Sequence, residues 1–134
     1  MGIEFGGCDQ VLKAIYLNSR NQIIDTEELF EGTLEGIPIR PREIVESVIK
    51  YSAAAVIFVH NHSSGNPIPS KSDKELTRDL VYAGSIMQSR VLDHIIIGNN
   101  RYFSFAGEGL LEKYEDSFLN LKIRGIFDSD VSHR

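Results

Sequence analysis

The stretch from Val56 to Asp73, VIFVHNHSSGNPIPSKSD, restricts the fold of this chain more than any other. It begins inside a run, Ala53 to Val59, that is apolar at every position and so reads as a central strand covered on both faces. Side chains two residues apart on a strand share a face, so the imidazoles of His60 and His62 can converge on one metal ion. A turn-rich loop, residues 63–69, follows. Ser70-Lys71-Ser72-Asp73 then opens a helix, which puts Asp73 in the first turn as a third ligand. Two imidazole nitrogens and a carboxylate oxygen suit a catalytic zinc site, whose fourth position is left for water. The plainer reading makes the histidines strand-end residues and Asp73 a helix cap. An unsatisfied imidazole pair continuing a wholly apolar strand is costly, and this weakens that reading.

Around this stretch the chain alternates short elements. Val11 to Leu17 reads as a strand and residues 18–21 as a turn. Gln22 to Ile24 resumes an extended pattern, and Leu29 to Leu34 continues that strand or begins another. A hairpin closing near Arg20 and Asn21 places the start of the first strand, near Gln10, across from the end of the second, near Glu31. Pro41 suits the first turn of a helix, and Ile44, Val45, Val48 and Ile49 form its apolar stripe. Ser72 with Glu75 has capping-box spacing for the helix after the loop, and Ser70 with Asp73 is a weaker version of it. The buried face of that helix is assigned to Leu76, Leu80, Ala83 and Met87. Val91 to Gly98 and Arg101 to Phe105 pair through a turn at Asn99-Asn100. A last helix runs from after Ala106 to about Leu121, with Leu110, Leu111, Tyr114, Phe118 and Leu121 on one side. The order β-β-α-β-α-β-β-α predicts an α/β fold with a mixed sheet and flanking helices.

A length of 134 residues fits a single domain, with residues 1–9 read as a linker or chain boundary and 128–134 as a flexible tail. The first ten residues, MGIEFGGCDQ, lack the basic region and apolar core of a signal peptide. A single cysteine, Cys8, leaves no intramolecular disulfide and suits a reducing cytoplasm. No apolar run approaches the ~20 residues that a membrane span needs. The net charge of −5 counsels against a broad basic surface, so direct nucleic-acid binding is not expected. His94, in an apolar strand beside Asp93, reads as a core or strand-edge histidine, and Tyr102, Phe103 and Phe105 read as packing.

The spacing from His60-x-His62 through seven residues to Ser70, and through two more to Asp73, resembles the signature of the JAMM (MPN-plus) metalloproteases. The wider text HNHSSGNPIPSKSD, with LFEGT, RPREI and LDHIIIG, is similar to the RadC branch of bacterial proteins, long labelled as DNA-repair proteins. The resemblance runs from about Val11 to Phe105. It implies a cytidine-deaminase-like (JAB/MPN) fold with zinc on His60, His62 and Asp73, and a hydroxyl at Ser70 that bonds the attacking water or the oxyanion. Ser70 is, on its residue type alone, a plain helix N-cap. The resemblance also implies a glutamate general base near the start of the first strand, and Gln10 stands there, next to Asp9. A glutamine cannot act as a base. Glu31 is the provisional alternative, with a solvated strand-end carboxylate as its plain reading, and Glu4 is a third candidate. Ser63 and Asn66 stand where RadC relatives usually carry Pro and Asp. Such relatives usually carry a further N-terminal region as well.

The expected function is zinc-dependent hydrolysis of a peptide or isopeptide bond in a peptide or protein substrate, with homo-oligomers compatible. The competing expectation is a non-catalytic metal-binding or interaction module in DNA maintenance, favoured by Gln10. A zinc deaminase is disfavoured, because the chain has no H-x-E…P-C-x-x-C pattern.

Overall fold

The computed structural model describes residues 10–32 and 40–132, and their side chains except at 31–32 and 126–132. Glu4, Cys8, Asp9 and His133 lie outside the described residues. The elements follow the predicted order: β1 (Gln10–Leu17), β2 (Ile23–Gly32), α1 (Pro41–Tyr51), β3 (Ala55–Asn61), α2 (Lys71–Met87), β4 (Arg90–Ile97), β5 (Tyr102–Ser104) and α3 (Leu110–Ser132). The strands form one five-stranded mixed sheet in the order β2-β1-β3-β4-β5. Only the β3–β4 pair among them is parallel, joined through α2, and the other pairs are antiparallel.

The central position of β3 accounts for its unbroken apolar run. On one face Val56 and Phe58 join Leu12, Ala14 and Tyr16 of β1, and Ile44, Val48, Leu80, Val81, Leu111 and Tyr114 bring in all three helices. On the other face Ala55 and Val59 cluster with Ile15 and Leu17, and Ile57, Leu92 and Ile97 pack against them. Burying a side chain such as Phe58 contributes about 2 kcal/mol, so alternation with polar residues would forfeit half of this core.

Several boundaries differ from the sequence pattern. Ser52 takes a left-handed conformation (φ 50°) and its N–H closes the end of α1 on Ile49, so β3 starts at Ala55 and not at Ala53. The two extended stretches after the first turn form one strand, β2, whose register against β1 shifts at Leu12/Lys13. Ile49 and Leu121, assigned to buried stripes, are exposed. Turns occupy residues 105–109, so α3 begins only at Leu110, and it continues to Ser132, through residues expected to be a flexible tail.

The loop after β3 is fastened to the sheet. The His62 N–H donates to the Ile97 carbonyl (3.0 Å), and the Asn99 N–H donates to the Gly65 carbonyl (2.8 Å). Gly65 needs its positive φ of 82° for this approach, and Gly98 needs its missing side chain. A Cβ on Gly98 would run into the Gly65 carbonyl oxygen and Pro67 Cδ, both held by the chain. We expect Gly98→Ala to lower stability by about 1–3 kcal/mol, read from urea midpoints at unchanged slope. A smaller loss would mean that the loop is not held against this turn.

Candidate metal centre

His60 is the penultimate residue of β3, and its row in the sheet continues through Leu12 of β1 and Ile96 of β4. His62 lies just beyond the strand. The parallel pair β3–β4 ends here, and carboxyl ends of parallel strands are where open α/β sheets place ligands. Asp73 enters from the first turn of α2. The helix starts at the cap expected to be the weaker of two: Ser70 Oγ accepts the Asp73 N–H (3.0 Å) and Asp73 Oδ2 accepts the Ser70 N–H (2.8 Å). The reciprocal bond fixes the Asp73 carboxylate, which points back toward the histidines. Ser72 is exposed and does not cap.

One ligand atom each from His60, His62 and Asp73 falls within 4.8 Å of the other two, and this cluster could hold a metal ion. His60 is fully buried and Asp73 is 5% exposed. The hydrogen bonds decide which atoms are offered. His62 Nδ1 lies 2.8 Å from the Asn66 carbonyl, which can only accept, so Nδ1 carries a proton. His62 Nε2 lies 3.0 Å from Asp73 Oδ2 and is the nitrogen that faces the cluster. His60 Nε2 meets Gln10 Oε1 at 3.1 Å, which leaves His60 Nδ1 buried without a hydrogen-bond partner, 3.8 Å from Asp73 Oδ1. An unpaired buried nitrogen of this kind costs about 1–3 kcal/mol. A cation beside it would remove that cost. The donor set also suits zinc, and so the residues present fit the ion.

Charges around the site are unevenly shared. Burial pushes the His60 pKa down to about 4, against the pull of Asp73. The hydrogen bond to Asp73 raises that of His62, with the Asn66 carbonyl adding to it. Burial alone would raise the pKa of Asp73, but the bonds from His62 and Ser70 outweigh it and hold the carboxyl below the usual range.

Gln10 is the group that β1 offers to the site. The Val11 N–H donates to Asn61 Oδ1 (2.6 Å), so the residue between the two histidines fastens the start of β1 to the end of β3. Across the hairpin Gln10 pairs with Gly32 and Val11 with Glu31, while the Glu31 side chain lies outside the described residues. Glu27, also on β2, is taken up by the hydroxyls of Tyr16 (3.1 Å), Ser47 (2.7 Å) and Tyr51 (3.4 Å), away from the cluster. His94 is in the core, as its strand pattern suggests. Thr77 is a participant that the apolar stripe of α2 concealed: it is fully buried one turn after Asp73 and touches both Asp73 and His94. The i, i+4 spacing of two polar residues in line with Leu80 was its signal. Asn61 and Asn66 act through contacts distant along the chain or through backbone atoms, and no spacing rule points to them.

The RadC-like JAB domain model matches residues 5–110. The UPF0758 protein STH371 of Symbiobacterium thermophilum is 50% identical over 97 residues, 72% of this chain and 42% of its own length. The UPF0758 protein YeeS of Escherichia coli K12 is 46% identical over 99 residues, 74% of this chain and 67% of its own. The UPF0758 protein XCV4028 of Xanthomonas euvesicatoria is 46% identical over 103 residues, 77% and 46%. The chain thus spans less than half the length of two of these relatives and about two-thirds of the third.

Without metal, the site should make stability depend on pH with a maximum near pH 6.5. As pH falls toward 4, the unfolded chain protonates His60 and His94, while burial keeps both neutral in the folded state, with His94 lowered to about 3. His62 opposes this only above pH 6.5, where its contribution is lost as pH rises through its raised pKa. Below about pH 4, protons added to Asp73 in the unfolded chain deepen the loss. Urea midpoints of the chelator-treated protein should fall by the equivalent of a few kcal/mol between about pH 6.5 and 4.5. A flat profile would contradict the burial of the two neutral imidazoles.

Proposed function

The chain belongs to the RadC-like JAB domain family, and on that footing we propose that it is a zinc-dependent hydrolase acting on a peptide or isopeptide bond. The observation that carries this reading is the convergence of His60, His62 and Asp73, with His60 Nδ1 buried and unpartnered among them. These three residues would hold the ion. Zinc bound there would supply a Lewis acid for the scissile carbonyl and for a water nucleophile.

The chain's own groups would then have separable tasks. Asn66 keeps the Nδ1 proton on His62, which leaves Nε2 to bind. Gln10 takes the Nε2–H of His60 and leaves its Nδ1 to bind. Ser70 Oγ is used as an acceptor by the Asp73 N–H, so its own hydrogen remains to be donated to the attacking water or the oxyanion. The base role is given to Glu31, the acidic residue at the end of β2, whose backbone pairs with Val11, while Gln10 pairs with Gly32.

One observation favours a second reading. A carboxamide, not a carboxylate, sits 3.1 Å from His60 Nε2, and it cannot take a proton from water. The chain would then keep the metal and serve as an interaction module in DNA maintenance, without turnover. With a net charge of −5, contact through protein partners is favoured over binding a duplex directly.

Metal analysis tests the shared premise. Purified protein should carry close to one zinc per chain, and His62→Ala should lose it. A metal-free wild type would refute both readings. Peptidase assays on the zinc-loaded protein then separate them. The hydrolase reading expects Glu31→Gln to lower kcat by about 100-fold or more at unchanged zinc content. An inactive wild type that gains activity on Gln10→Glu supports the module.

A further inference from the structure

We infer that Thr77 and His94 are positioning residues for the metal site, a buried hydroxyl–imidazole pair that fixes Asp73 from behind and sets the plane of His60. This inference rests on the metal-binding reading above. Thr77 Oγ1 lies 2.7 Å from the Asp73 carbonyl oxygen and 2.7 Å from His94 Nδ1. A hydroxyl has one hydrogen to donate, and a carbonyl oxygen can only accept it. The hydrogen therefore goes to Asp73, and the proton in the second bond belongs to His94 Nδ1. His94 Nε2 is left bare, and it is buried without a hydrogen-bond partner.

The His94 ring is stacked by two others. Phe105 stacks on it at 4.8 Å and 7°, and His60 stacks at 5.8 Å and 28°. Phe58 meets it edge-on at 6.2 Å. Its backbone is equally fixed, because the His94 N–H donates to Asp93 Oδ1 (2.7 Å) and its carbonyl accepts the Phe105 N–H (3.0 Å). A leucine and a valine would fill this volume without a threonine hydroxyl or an orphaned nitrogen in the core, and at lower desolvation cost. What they could not do is join the backbone of one ligand to a ring lying against another. The pair forms a continuous path from α2 through β4 to β3, Asp73–Thr77–His94–His60.

The experiment compares Thr77→Val, which keeps shape and loses the hydroxyl, with Thr77→Ser, which keeps the hydroxyl. Zinc affinity is measured by chelator competition, the ligand field by visible absorption of the cobalt-substituted protein, and folding by circular dichroism. Thr77→Val should bind zinc about 10–100-fold more weakly with altered cobalt bands, and Thr77→Ser should restore both to near wild type. A role confined to packing would lower thermal stability and leave affinity and cobalt bands unchanged, and that result overturns the inference. In the wild-type apoprotein, imidazole nitrogen NMR should show His94 protonated at Nδ1 and bare at Nε2. A proton on Nε2 overturns the inference even if Thr77→Val fails to fold. A wild type that takes up no zinc refutes the metal reading itself. A wild type that binds zinc, beside a Thr77→Val protein that binds it equally well, refutes only the role of the pair.

Discussion

The carboxylate of Asp73 serves the helix and the metal centre at once, and the rest of the site depends on that double use. Its Oδ2 closes the capping box with the Ser70 N–H and accepts from His62 Nε2, while Oδ1 stands 3.8 Å from His60 Nδ1. Burial at 5% exposure would ordinarily neutralise such a group. Two hydrogen bonds and the partial positive charge of the first helical turn keep it ionised. Because the same oxygen closes the cap of α2, the third ligand is placed together with the start of the helix at Lys71. A cap at Ser72 would make Asp73 the first helical residue and take it out of the capping box.

The histidines are held by different means. His60 belongs to the sheet, with Leu12 and Ile96 beside it in its row and the His94 ring against its face. His62 belongs to the loop, and the loop is fixed by backbone bonds to Ile97 and Asn99 and by the close approach over Gly98. Elements far apart in sequence thus meet at one point, and the entropy of closing them is met in folding, not on binding an ion. Of the three candidate ligands, His60 and Asp73 are the more deeply buried.

Much of this was legible in advance because it obeys short periodicities. The two-residue spacing of His60 and His62 and the unbroken apolar run before them gave both the central strand and the two facing imidazoles. Helix boundaries were less legible, since they turn on single conformations such as the left-handed Ser52, which a propensity scale does not register. The choice of Ser70 over Ser72 was hidden for a related reason. Both have an acidic residue three positions on, and only the tertiary partner His62 decides between them. Thr77 was overlooked because a stripe defined by apolar residues leaves out its polar end. The contacts of Asn61 with Val11 and of Asn66 with His62 span either fifty residues or a backbone carbonyl, and local pattern holds no trace of them.

Gln10 is where these levels pull apart. As an acceptor for His60 Nε2 it fixes the tautomer of that ring as a carboxylate would, with Nδ1 turned to the cluster. It differs from a carboxylate in two ways. It does not draw charge onto the imidazole, which leaves burial to dominate the lowered pKa of His60. It also offers no site for a proton taken from water. The candidate ligands therefore come from the β3–α2 unit, while the group that the first hairpin sets against His60 is a carboxamide, and the two elements are joined at this point by the Val11–Asn61 bond. On the proposed reading the base and the ligands would come from different elements, so an intact set of ligands is no measure of turnover.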